Sequence, residues 1–131
     1  MKKAVSLILI NDEGLICGVS RKDNHELFSL IGGKVDSGDA DIYSAIIRET
    51  KEETGLDIYD IELIHDEEYD KTGYHEHTFK AKHRGEINYD MEKEPAVVKW
   101  VEPEVVMNGA FGEYNEKVLS LVGIVRKEKV A

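Results

Sequence analysis

Glu49, Glu52 and Glu53 lie within one short run, Arg48-Glu49-Thr50-Lys51-Glu52-Glu53. On an α-helix Glu52 and Glu53 follow Glu49 by three and four residues, so all three carboxylates project from one side. Like charges at those spacings destabilise a helix by roughly 0.2–0.5 kcal/mol per pair. A segment shaped by stability alone would carry lysines there. Hard divalent cations offset the repulsion, because Mg²⁺ or Mn²⁺ takes oxygen ligands and leaves positions open for phosphate oxygens. Arg48 adds a planar fork that braces a neighbouring carboxylate without binding metal itself. The competing reading is a solvated acidic face that aids solubility.

Such a helix needs a buried face and an end. From about Asp41 to Thr54 the residues take helical spacing, and Gly55 is placed to terminate it. Tyr43, Ile46, Ile47, Thr50 and Thr54 form the expected buried stripe, with Ala45, Arg48, Glu49, Glu52 and Glu53 opposite. Upstream, Gly32-Gly33 and Gly38 bracket a loop whose backbone turns sharply or approaches something closely, offering carbonyls to a metal or amides to a phosphate. Strands are expected over 5–10 and 15–19, paired as a hairpin through Asn11-Asp12-Glu13-Gly14. A short apolar run covers 27–31, and further strands cover 61–64, 77–81 and 97–101, with Lys71-Thr72-Gly73 as a turn. A last helix is expected from about Glu113 to Arg126, with Val118, Leu121, Val122 and Val125 on one face. No repeat or linker divides the chain, so one domain over 1–131 is expected.

The segment Gly33-Lys34-Val35-Asp36-Ser37-Gly38-Asp39, followed by Arg48-Glu49-Thr50-Lys51-Glu52-Glu53-Thr54-Gly55-Leu56, resembles the Nudix box. The family pattern is G-x5-E-x7-R-E-U-x-E-E-x-G-U with U apolar, and here it spans about 33–56. All fixed residues of its second half are present. In the first half Asp39 stands where the family has Glu, eight residues instead of seven before Arg48, so the partner of Asp39 is left open. Thr50 replaces an aliphatic residue, and Ile31 takes a place where many members have Pro. The resemblance implies an α/β fold, an α/β/α sandwich with a mixed sheet between helices and a loop-helix-loop box. It also implies metal-dependent hydrolysis of a nucleoside diphosphate linked to another group, water attacking one phosphorus of the diphosphate. By the same resemblance, Glu52 and Glu53 are the principal ligands of Mg²⁺ or Mn²⁺, with Glu49 binding directly or through water. A carbonyl at Gly33 completes the set and Arg48 braces it. Glu53 and Glu49 are the candidates for general base, and Glu94 is an accessory acid whose competing reading is a solvated loop residue.

Substrate choice lies outside the box. Phe111-Gly112-Glu113-Tyr114-Asn115 is similar to the F-x3-N segment of MutT-like members, and the Asn115 amide can both donate to and accept from a purine edge. The alternative is an ordinary polar residue in the first turn of a helix. Phe28 and Tyr114 are candidates to stack on a base, and Arg21 with Lys22 to hold phosphates. A nucleoside triphosphate leads among substrates. ADP-ribose, a dinucleoside polyphosphate, or nucleotide sensing without cleavage are the alternatives. His75 and His77 share a strand face, but no Cys or further His lies at a zinc spacing, so a solvent-facing strand end is expected.

With 131 residues, 41% hydrophobic and 34% charged, the chain suits a globular domain. The net charge is −10, and from Glu49 to Asp70 ten carboxylates face the single Lys51. That surface repels duplex nucleic acid and anionic membrane, so the expected partner is a small nucleotide, bound by a monomer or homodimer. Cys17 is the one cysteine, within the apolar run 15–19, which points to a buried thiol and a reducing, cytoplasmic setting.

Overall fold

A computed structural model of the chain describes residues 2–127. β1 (Lys3–Ile8), β2 (Ile16–Ser20) and β3 (Phe28–Lys34) precede α1 (Ile42–Thr54). The long strands β4 (Asp57–Tyr69) and β5 (Tyr74–Arg84) follow, then β6 (Val98–Val101), α2 (Pro103–Met107) and α3 (Gly112–Leu121). One sheet takes the order β4-β5-β1-β3-β2-β6. β1 and β5 run parallel, and every other neighbour is antiparallel.

Alternation along the strands builds two cores. Val5, Leu7, Cys17, Val19 and Ile31 point to one face, where Ala45 and Ile46 of α1 cover them. Ile8, Ile16, Phe28 and Leu30 point to the other, beneath Val106 of α2 and Val118 and Leu119 of α3. Helices therefore cover both faces of a mixed sheet, the expected sandwich. Cys17 is fully buried, and burial pushes its thiol up to about 12, so it stays protonated. Among the described residues no helix is long and apolar enough to cross a membrane.

Three expectations are corrected. β1 and β2 meet only at the isolated bridge Ile10↔Ile16, because β3 inserts between them and pairs with both. The last helix ends at Leu121, and Gly123 at φ +81° turns the chain away, leaving Leu121 and Val125 exposed. The buried face of α1 is rotated: Ala45, Ile46, Thr50 and Thr54 are buried, while Tyr43 and Ile47 are exposed.

β4 forms one edge of the sheet. Its pairing with β5 breaks register between Tyr59 and Glu62 and again between Leu63 and His65, and Asp60 sits in the left-handed region at φ +50°.

Candidate active site

The rotation of α1 decides the site. Glu49 and Glu53 continue the line begun by the buried Ala45, so they lie at the margin of the helix–sheet contact and not opposite it. Two glycines at the end of β3 make room. A Cβ on Gly32 would strike the Val5 carbonyl, and one on Gly33 would strike the Glu49 carboxylate, which lies directly over the strand backbone. The β2–β3 ladder stops at Leu30, and beyond it the Gly32 N–H donates to Glu53 Oε1 at 3.1 Å. Thr50, in the place of an aliphatic residue, is buried with its hydroxyl donating to the Ile46 carbonyl at 2.7 Å. Asp41 caps the start of α1 by accepting from the Ser44 N–H at 2.8 Å, and Gly55, at φ +79°, ends it.

Arg48 holds the loop and helix together. Asp39, its side chain 5% exposed, accepts from Nε at 2.8 Å and from the guanidinium at 2.9 Å, a two-point fork. The same guanidinium reaches Glu49 at 3.1 Å, Glu52 at 3.2 Å and the Lys34 carbonyl at 3.2 Å. The shorter acid and the extra loop residue thus still close on the arginine. Hydrogen bonds from Arg48 hold the Asp39 carboxyl down at about 2.

The two inner acids shift the other way from Asp39. Burial, with added repulsion from Glu49, pushes Glu53 up to about 8. Burial also raises Glu49 to about 7, against the pull of Arg48. Glu52 remains exposed beside the guanidinium. Glu94 is close enough to add to the repulsion on Glu53, and Lys22, 3.9 Å from Glu94, pulls the other way.

A cavity of about 550 Å³ opens beside Glu53. Glu53, Gly32 and Gly33 line it together with Tyr69, Tyr74, Phe111 and Asn115.

A Nudix domain model matches residues 1–122. The chain belongs to the Nudix family. No curated protein matches it in sequence. Among solved structures, a MutT studied in Aliivibrio salmonicida and Vibrio cholerae superposes with a TM-score of 0.71 at 22% identity, covering 92% of this chain and 95% of that one. An ADP-ribose pyrophosphatase from Streptococcus suis superposes at 0.69 with 20% identity, covering 97% and 96%. The E. coli ORF135 protein superposes at 0.67 with 22% identity, covering 93% and 91%. As a Nudix member the chain is a pyrophosphohydrolase acting on small nucleotide-derived substrates.

Nudix enzymes use divalent metals, and the donor set of this Nudix site suits a hard ion. Two partly buried carboxylates, Glu49 and Glu53, repel each other and hold raised pKa values, a state that a divalent cation among them would relieve. Among the described residues the three carboxylates do not converge on one point: Glu49 and Glu52 both reach the Arg48 guanidinium, while Glu53 accepts from the Gly32 N–H. Gly33 stands near the end of β3 against the Glu49 carboxylate.

The residues assigned to substrate separate. Phe28 is core: it is 4% exposed, packs with the α2–α3 cluster and does not line the cavity, so it has no face for a base. Arg21 lines the cavity but forks onto Asp23 at 2.7 and 2.9 Å. Asn115 lines it while buried, and its amide nitrogen donates to the Val106 and Ala110 carbonyls and to Ser29 Oγ. Because carbonyls only accept, the nitrogen must face inward, and Oδ1 alone is left for a ligand. The expected two-way reading of a purine edge is thereby reduced to a single acceptor. Tyr114 is buried with its hydroxyl 2.7 Å from Thr78.

Several cavity residues, among them Tyr69, Tyr74, Glu76 and Phe111, had no binding role in the sequence reading. Phe111 is 55% exposed and held at φ +58°, a left-handed conformation rare for a bulky residue. Glu76 on β5 is a half-buried carboxylate in the cavity wall, raised by burial. Strict alternation from Thr78, whose side chain meets Tyr114, was the available signal for Glu76 and Tyr74.

Proposed function

We propose that this Nudix hydrolase works as one domain over residues 1–131 and cleaves a nucleoside triphosphate within its phosphate chain. The observation that carries the reading is the shared cavity: Glu53 lines the same space as the aromatic Tyr69, Tyr74 and Phe111 and the amide of Asn115. Its volume, about 550 Å³, suits a small-molecule ligand. The phosphates lie toward Glu49, Glu52, Glu53 and Gly33, and the base toward the aromatic residues. Those acids and the Gly33 carbonyl would hold Mg²⁺ or Mn²⁺, which would supply charge neutralisation on the phosphate oxygens.

The residues of the chain do the rest. Glu53 and Glu49 are the candidates to accept a proton from the attacking water; without metal, burial pushes them up to about 8 and about 7, and a bound cation would bring both down toward the ionised form a base needs. Arg48 acts as a positioning residue, fixing Glu49 and Glu52 from the Asp39 fork. Glu94 is an accessory acid that biases Glu53 by repulsion. Asn115 Oδ1 accepts from a base N–H, and Phe111 offers a ring face.

The MutT and ADP-ribose pyrophosphatase neighbours bracket the substrate range to be tested. Incubation with nucleoside triphosphates, ADP-ribose and dinucleoside polyphosphates plus Mg²⁺, followed by product analysis, is the experiment. Triphosphate cleavage lost in excess chelator is the expected result. Preference for ADP-ribose or a dinucleotide would overturn the substrate class, full turnover in chelator would overturn the metal's role, and tight binding without products would identify a sensing module.

A further inference from the structure

The histidine pair of β5 does not end in solvent. His77 is 7% exposed, and the ladder sets it opposite Asp66 on β4 and Val5 on β1. His75, two residues earlier on the same face, has Nε2 2.8 Å from Asp66 Oδ1. The two imidazoles stack at 4.4 Å between centroids with 20° between planes. Among the described residues, Asp66, His75 and His77 are the one set of three whose ligand atoms all fall within 4.8 Å of one another.

We infer that Asp66, His75 and His77 form a second divalent-metal site, built for a late first-row ion such as Zn²⁺ and separate from the helix carboxylates.

The tautomer of His77 supports this. Its Nδ1 lies 3.3 Å from the Ala4 carbonyl and 3.1 Å from the His75 carbonyl. Both are acceptors only, so Nδ1 carries the hydrogen and Nε2 keeps its lone pair. Anchoring one ring nitrogen on a backbone carbonyl is how metal-binding histidines are oriented and made more basic. The donor set, two imidazoles and one carboxylate, suits Zn²⁺, Co²⁺ or Ni²⁺, whereas Mg²⁺ prefers the all-oxygen set on α1. No cysteine is needed, since the third ligand comes from the neighbouring strand, where sequence spacing does not reveal it.

Alternation also fixes what the site touches. Tyr74 and Glu76, between and beside the histidines on β5, line the substrate cavity, so the metal sits on the opposite face of the same strand. An ion there ties β4 to β5 behind the cavity wall.

The test is calorimetric titration of the full chain with Zn²⁺ while Mg²⁺ is kept saturating. The wild type should bind one equivalent at this site, with the His75 and His77 imidazole NMR signals shifting on addition. His75→Gln and Asp66→Asn remove solvent-accessible ligands with little risk to the fold, and each should weaken Zn²⁺ at least about tenfold. Glu52→Gln, on α1, should leave that affinity unchanged. Equal Zn²⁺ affinity in all three variants, or unshifted imidazole signals at saturation, would overturn the site.

Discussion

Glu53 shows how one side chain couples chemistry to stability. Its ordinary pKa of 4.5 rises to about 8 in the fold, chiefly through burial. Between those values the folded chain binds more protons than the unfolded chain, so its contribution is fully present below pH 4.5 and is lost as pH rises through about 8. His77, lowered by burial, has the opposite slope over part of that window, so the comparison of interest is between variants. Metal-free wild type should lose more Tm from pH 5 to pH 8 than Glu53→Gln does, and Glu53→Gln should be the more stable at pH 8. Its turnover should nevertheless fall on the order of 10² or more. Differential scanning calorimetry with parallel kinetics checks both. Equal pH slopes, or a near-normal rate, would count against Glu53 as a buried ligand.

At the scale of elements, the loop before α1 and its acid are matched in length. Asp39 is one methylene shorter than the family's Glu, and one added residue brings it to the Arg48 fork. Asp39→Glu should therefore overshoot, lowering both Tm and kcat, while the same substitution combined with deletion of Ala40 should recover most of both. No loss in Asp39→Glu would break the argument. Much of this element was legible beforehand: the acids, the capping Gly55 and the glycine pair are all signals of local spacing. What failed was the rotation of the stripe. Ile47 is left exposed and Tyr43 is only partly covered, its ring edge-on to Phe79 of β5 at 5.1 Å, whereas Glu49 is drawn inward because Gly33 leaves its backbone bare. Pairing partners were equally hidden, since the turn at Asn11–Gly14 marks a reversal without saying that β3 will enter between the strands. The short α2 went unread, five residues being too few to show a period. Phe28 and Asn115 show a related limit: an aromatic or an amide declares its chemistry in sequence but not which of its atoms the core has already taken.

Over the whole molecule, the acidic run has two uses that composition alone cannot separate. Its first part supplies the site on α1, and its remainder lies along β4, the exposed edge of the sheet. An open edge presents unpaired backbone groups to any other strand, including that of a second copy. Here Asp57, Asp60, Glu62, Asp66 and Glu68 charge that edge, and two register breaks bend it. Lys82 and Lys80 pair with Asp60 and Glu62 within the chain, both at 3.4 Å, leaving little cationic charge to attract a neighbour's acids. The edge is thus guarded against growth into fibrils. Replacing Asp60 by Asn and Glu62 by Val should keep the fold and the rate of hydrolysis. It should also make the protein scatter light and bind thioflavin on mild warming at neutral pH, where the wild type stays clear. A variant that remained as clear as wild type would mean that the bends alone protect the edge, and that the charge on β4 serves the solubility of the native state and not its defence against templated assembly.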